Sequence, residues 1–302
     1  MSPYLRALRL ERWPRSLSIF LGSAAYFFFY RERLADFPLE ALAWRTGAAF
    51  LLTWGISTAN YVLNEIVDKP FDAHHPTKKF RPLVQGDIKT GPFAALGIAL
   101  TAVCLVLAKA VFDIAFLYSL LALLAAGFLY NVPPLRTKDI PFLDAISESI
   151  NNPIRFAVGW YAFAPIDVRP PLSLLLSWWA FGNYLMVAKR LSEHRFLKDK
   201  AGDYRMSHKR YTESLLLIGL AVGAAVCLAS FLYLALTWRL ETFLAIAPFL
   251  AVLLWLILRK TLRESEVMEE TEKVLASAKF GFYTVFLLSL FVLSYFVDTI
   301  GV

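Results

Sequence analysis

Cysteine is almost missing from this chain. Cys104 and Cys227 are its two examples in 302 residues; both fall in apolar runs, show no metal-ligand spacing and argue for no disulfide framework. Charged residues are scarce too, at 18%, against 58% hydrophobic residues and a mean hydropathy of +0.54. That balance excludes an ordinary soluble domain. The first apolar run lacks the small-residue cleavage site of a secretory leader and reads as a first span. Low-complexity tracts and a separate soluble domain are also lacking, and the two halves share only a loose likeness, so residues 1–302 read as a single domain.

What the chain has instead is long apolar windows. Stretches able to cross roughly 30 Å of hydrocarbon fall near 17–30, 44–63, 93–112, 114–130, 142–164, 171–187, 213–236, 240–258 and 276–297. They predict an all-α integral membrane protein of about nine transmembrane helices, with termini on opposite sides. Lys and Arg divide unevenly between the loops, with 24 on the side that carries the amino terminus and six on the other. The positive-inside rule therefore predicts a multi-pass protein of the cytoplasmic membrane, its amino terminus and all motif-bearing loops in the cytoplasm. On this reading the net charge of +7 reflects topology and anionic ligands, with no nucleic-acid partner.

The most informative stretch follows the second window. Asn64, Asp68 and Asp72 recur every four residues and share one helix face. Mg²⁺ takes oxygen ligands and usually binds through one or two carboxylates plus substrate phosphate, so this triplet suits a Mg²⁺-pyrophosphate complex. Behind it lie His74, His75, Lys78, Lys79 and Arg81, able to neutralise a departing pyrophosphate. The alternative for the basic block is a solvated loop obeying the positive-inside rule. Pro70 is expected to end or kink the helix near Asp68, leaving the carboxylates to converge across a bend.

Further polar segments follow. Residues 188–212 hold eight basic residues, among them Lys189 and Arg190, which either bind phosphate or anchor the end of a span by snorkelling. In the fifth window Asp144, Glu148 and Asn152 lie at i, i+4 and i+8, with Ser147, Asn151 and Arg155 on a neighbouring stripe. Either they line a wet path, with Arg155 gripping a lipid phosphate, or they form an interhelical network with a Glu148–Arg155 contact. Asn152 precedes Pro153, where a bend is expected. The clusters Tyr26–Tyr30 and Trp178–Trp179 suggest an interfacial belt or lipid face. Residues 259–279 read as a solvated connection with helical ion pairs.

Asn64, Asp68 and Asp72, followed by Arg81-Pro82 and Gly86, resemble the first motif of the UbiA superfamily of intramembrane prenyltransferases. Several elements look more like its decaprenyl-phosphate phosphoribosyltransferase branch: His75-Pro76-x-Lys78-x-x-Arg81-Pro82, Trp13-Pro14-Arg15, Tyr130-Asn-Val-Pro-Pro-Leu-Arg136, Lys189-Arg190-Leu-Ser-Glu193, and the Tyr/Arg-rich stretch with Tyr204-Arg205. Glu65 replaces the usual Asp and Arg15 the usual Lys. The resemblance implies a helical bundle with a cytoplasm-facing polar cavity and a Mg²⁺-dependent transfer of phosphoribose from phosphoribosyl pyrophosphate to a polyprenyl phosphate. Asn64, Asp68 and Asp72 would hold the metal. Asp68, Asp72, Lys189 and Arg190 would carry the catalysis, with Arg15, Asn64, Lys78, Arg81, Tyr130, Arg155, Glu193, Tyr204 and Arg205 binding substrate. In the alternative, a prenyl chain moves from its diphosphate to an aromatic or other acceptor, and Asp199 and Asp203 hold a second metal. A third reading is a lipid carrier without turnover; the inverted repeats and midplane broken helices of transporters are missing from the sequence.

Overall fold

The computed structural model describes residues 2–73, 78–197, 206–263 and 278–300, and every regular element among them is helical. Helix occupies each of the apolar windows. By length and composition four described helices are able to cross a membrane: Thr90–Val111 (α5), Ile114–Asn131 (α6), Glu213–Thr237 (α10) and Glu241–Arg263 (α11). The other windows fall in helices that are short, interrupted or mixed with polar residues. His74, His75, Asp199, Asp203, Tyr204 and Arg205 lie outside the described residues.

The chain divides into two compact units, Met1–Thr137 with Asn151–Pro170, and Lys138–Ile150 with Pro171–Val302. The first contains Pro3–Ala7 (α1), Ser18–Phe29 (α2), Leu39–Asp72 (α3), Pro82–Gln85 (α4), α5, α6 and Asn151–Tyr161 (α8). The second contains Leu143–Ser149 (α7), Leu172–Leu197 (α9), α10, α11 and Ala278–Ile300 (α12). In the first unit α3 packs on α5 and α6, and α8 packs on α2 and α6; in the second α10 packs on α9 and α11.

Two expected features of helix geometry are corrected. Pro70 does not end the helix at Asp68, because it falls in the last turn of α3, where its missing N–H removes one backbone bond and the helix still reaches Asp72. The polar fifth window breaks at Ile150, before Pro153, so Asp144 and Glu148 sit on α7 while Asn152 and Arg155 sit on α8. The i, i+4, i+8 spacing is thus divided between two helices.

The crossing of α2 and α8 is a backbone-to-backbone contact. A Cβ placed on Gly22 would stand 2.0 Å from the Phe156 carbonyl oxygen, and one on Gly159 2.0 Å from that of Ile19. Ser23 Oγ donates to the Gly159 carbonyl at 2.9 Å. Small residues let membrane helices approach this closely, so dispersion and a hydroxyl bond replace the hydrophobic effect that lipid cannot supply. The same crossing buries Tyr26, 3% exposed and edge-on to Trp160 with centroids 5.4 Å apart. Tyr26 therefore belongs to the bundle interior, a correction to the belt expected for it. Near the other end of α3, the Arg45 guanidinium lies 5.2 to 6.0 Å from the rings of Phe37, Trp44, Phe112 and Phe163 and donates to the Ala162 carbonyl at 2.8 Å.

Because the obstacle at Gly159 is backbone, Gly159→Leu is expected to cost about 1–3 kcal/mol. The check is thermal unfolding in detergent, with Gly47→Ala as control, since a Cβ at Gly47 meets nothing within 4 Å.

Candidate functional site

In the first unit the motif face of α3 is registered by amides. Asn60 Nδ2 donates to the Leu123 carbonyl at 2.9 Å, Asn64 Nδ2 donates to Asn131 Oδ1, and Asn131 Nδ2 donates to the Gly127 carbonyl at 2.8 Å. Gly127 admits Asn60, whose amide would overlap any Cβ there. This ladder fixes α3 against α6 and sets Asn64 beside Asp68, to which it also donates at 3.1 Å.

One turn further, three carboxylates meet four basic side chains. Asp68 is paired with Arg136 at 3.0 Å, and Asp72 with Arg81 and, at 3.9 Å, with Lys78. Glu65 is paired with Arg9 and, at 3.5 Å, with Arg81. Glu65 is 2% exposed, and its Oε2 is buried without a hydrogen-bond partner. Burial pushes the Asp72 carboxyl above its ordinary range, while Arg81 and Lys78 pull it back. Burial lowers Arg81, and the positive charge of Arg9 lowers it further.

The structure thus brings Asn64, Asp68, Asp72, Lys78 and Arg81 together. Arg15 stands nearby, Nη1 reaching the Tyr61 hydroxyl at 3.4 Å. Tyr130 is half-buried at the end of α6. Arg155 is buried on α8 and its Nη2 reaches Ser57 Oγ at 3.4 Å. Sequence reasoning missed Arg9, Glu65, Asn131 and Arg136 as members of the cluster. Arg136 had a signal, as the last residue of the Tyr130–Arg136 motif; Arg9 had none beyond its charge.

The second unit holds a separate polar centre. Arg190 was expected to meet pyrophosphate, yet its side chain is 0% exposed and its fork is engaged by Asp144 at 2.7 Å, Glu193 at 2.8 Å and Glu148 at 3.0 Å. Asp144 also accepts from the Tyr211 hydroxyl at 2.6 Å, from Ser207 at 3.0 Å and from the Ala145 amide at 2.8 Å; His208 Nε2 lies 2.9 Å from Glu193. Burial and then Asp144 push the Tyr211 hydroxyl well above its ordinary range. The arrangement ties Ser207, His208 and Tyr211 to α7 and α9. Arg190 is its common cation, and Lys189 beside it is half-buried. Removing one partner of a buried ion pair leaves an uncompensated charge. Arg190→Met is therefore expected to cost about 3–5 kcal/mol, read as a fall in unfolding temperature, with Lys189→Met as the comparison.

Among the described residues no three His, Cys, Asp or Glu side chains converge as a ready metal cage. The donor set around Asn64 still suits a hard cation: amide and carboxylate oxygens, one of them buried and unpartnered.

The model of the UbiA prenyltransferase family matches residues 18–277. A decaprenyl-phosphate phosphoribosyltransferase of Corynebacterium glutamicum is 24% identical over 234 residues, 75% of this chain and 65% of that protein. A lycopene elongase/hydratase of Haloarcula japonica is 34% identical over 133 residues, 42% of each. The chain thus spans less than two thirds of the length of either curated relative. The solved structure of a UbiA homologue from Archaeoglobus fulgidus bound to GPP and Mg²⁺ superposes with a TM-score of 0.70 at 19% identity, covering 97% of this chain and 99% of that one. The motif helix, the helical architecture and the family match lead to one statement: the chain belongs to the UbiA prenyltransferase family.

Proposed function

We propose that this chain is a divalent-metal-dependent membrane transferase that takes a diphosphate donor at Asn64, Asp68 and Asp72, and that the donor is phosphoribosyl pyrophosphate and the acceptor a polyprenyl phosphate. The observation that carries the diphosphate reading is the charge balance of the cluster. Arg9, Lys78, Arg81 and Arg136 face Glu65, Asp68 and Asp72. This leaves one excess positive charge, and a divalent cation with a diphosphate of about three negative charges brings the cluster close to neutral.

Asn64, Asp68 and Asp72 would hold Mg²⁺, which when bound supplies charge neutralisation for the leaving diphosphate. Arg81 and Lys78 exchange their carboxylate partners for phosphate oxygens, so the half-buried guanidinium is never without an anion. In the transfer the ribose C1–O bond breaks, its electron pair leaves with pyrophosphate, and an oxygen of the lipid phosphate forms the new bond to C1. That oxygen is already anionic and needs little help from a base. The C. glutamicum relative supports the phosphoribosyl reading. The GPP-bound A. fulgidus homologue and the H. japonica elongase favour a second reading, in which a prenyl chain leaves its diphosphate for another acceptor.

Pyrophosphate release by the purified protein in lipid with Mg²⁺ separates the two. One arm offers phosphoribosyl pyrophosphate and polyprenyl phosphate; the other offers prenyl diphosphate with an aromatic acid or an isoprenoid acceptor. Turnover in the first arm, reduced about a hundredfold or more in Asp72→Asn, is the expected result. Turnover confined to the second arm moves the assignment to prenyl transfer.

We further propose that the amino terminus and the motif end of α3 face the cytoplasm, on the Lys and Arg bias. A cysteine introduced at Ser2 is then labelled by an impermeant maleimide only after permeabilisation, and labelling of intact cells reverses the orientation.

A further inference from the structure

We propose that Arg9 is a further phosphate-binding residue of this site, delivered by the amino-terminal segment and aligned by Glu65, the carboxylate it shares with Arg81. The proposal rests on the diphosphate reading above and adds to it a residue outside the Asn64–Arg81 stretch.

The placement is built from both sides. The segment before Arg9 is docked through Ala7, 2% exposed, onto a cluster of Val62, Leu83, Ile88 and Phe93, with Tyr4 and Leu8 packed against it. The Tyr4 and Phe93 rings lie 6.3 Å apart. Arg9 itself adopts a left-handed backbone, φ 51° and ψ 45°, which L residues with a branched or long side chain take at a cost unless their surroundings enforce it. That turn sends the side chain to α3, where the guanidinium lies 6.0 Å from the Tyr61 ring and pairs with Glu65 Oε1. Arg81 Nε approaches the same oxygen at 3.5 Å while its Nη1 pairs with Asp72.

Two guanidinium groups therefore gather at one carboxylate oxygen, and only one of them continues to a motif carboxylate. Two neighbouring forks of N–H donors are the arrangement that binds a diphosphate across both of its phosphoryl groups. A lone ion pair needs one arginine; here Glu65 takes a second, Arg81, which also pairs with Asp72, and so sets the two forks side by side. Glu65 is one residue past Asn64 and faces the docked segment. Its carboxylate, with Oε2 buried and without a hydrogen-bond partner, holds Arg9 beside Arg81.

The test is calorimetric titration of the full chain in lipid nanodiscs with inorganic pyrophosphate in Mg²⁺, alongside the unfolding temperature of each variant without ligand. Arg9→Ala is expected to weaken pyrophosphate binding about tenfold or more, the loss of charge-assisted bonds from one fork. Arg9→Lys, which keeps the charge opposite Glu65, is expected to bind between the two. A purely structural Arg9 would lower the unfolding temperature and leave affinity within about twofold of the unsubstituted chain, and that result overturns the proposal. Should Arg9→Ala not fold, Arg9→Lys carries the test, and undiminished affinity there overturns it equally. If the unsubstituted chain binds no pyrophosphate with Mg²⁺, the diphosphate reading itself fails. If Asp72→Asn loses binding and neither Arg9 variant does, only the role of Arg9 fails.

Discussion

A charge taken out of water must keep a counter-charge, and both polar centres of this protein obey that constraint. Born solvation makes an isolated buried guanidinium or carboxylate untenable, so each is placed where a partner of opposite sign already stands. Around Glu65 of α3 the partners come from the segment after α1 and from the turn before α4. Around Arg190 they come from α7 and α9. The two centres differ in what they can release. The Arg190 fork is saturated by three carboxylates at zero exposure, whereas Arg81 and Lys78 retain solvent contact, at 18% and 32% exposure. A site that must admit an anion needs the second condition, and a clasp that holds a loop needs the first.

Around these centres the bundle is assembled by contacts that do not depend on water exclusion. Glycine-mediated backbone contact joins α2 to α8, side-chain amides bridge α3 to α6, and Thr242 Oγ1 donates to Asp298 at 2.6 Å between α11 and α12. Each is short-ranged and directional, which suits an environment where apolar side chains gain nothing by leaving lipid for protein. The amide bonds between α3 and α6 position Asn64 from behind, leaving the polar face of α3 to its ionic partners.

Much of the helical layout was legible because apolar windows of spanning length leave few alternatives once backbone polar groups must satisfy one another in hydrocarbon. The Asn64, Asp68 and Asp72 face was legible for the same reason: a four-residue repeat on a helix is geometry. What escaped was everything that depends on which surfaces meet. Pro70 read as a breaker because propensity carries no information on distance from the helix end. Tyr26 read as interfacial because composition does not reveal that a glycine opposite it opens the interior. Glu148 and Arg155 read as residues of one helix because the apolar pattern runs through Ile150, where the chain in fact passes from α7 to α8. Arg9 carries a charge that any inside loop carries, and nothing local tells it from Arg6 or Arg12. Its significance comes from the left-handed turn and the docking of Ala7.

The length of α3 sets a depth. Its 34 residues extend about 51 Å at 1.5 Å per residue, well beyond the roughly 30 Å of a hydrocarbon core. Arg45, ringed by Phe37, Trp44, Phe112 and Phe163, precedes Asn64 by about 28 Å of helix axis, nearly one bilayer core. The helix is in effect a ruler. A helix set with Arg45 at one interface would bring Asn64 near the other, with Asp68 and Asp72 one and two turns beyond it. An inserted or deleted residue between Arg45 and Asn64 would shift the motif by one rise and turn it by 100°, parting its carboxylates from Arg9, Arg81 and Arg136.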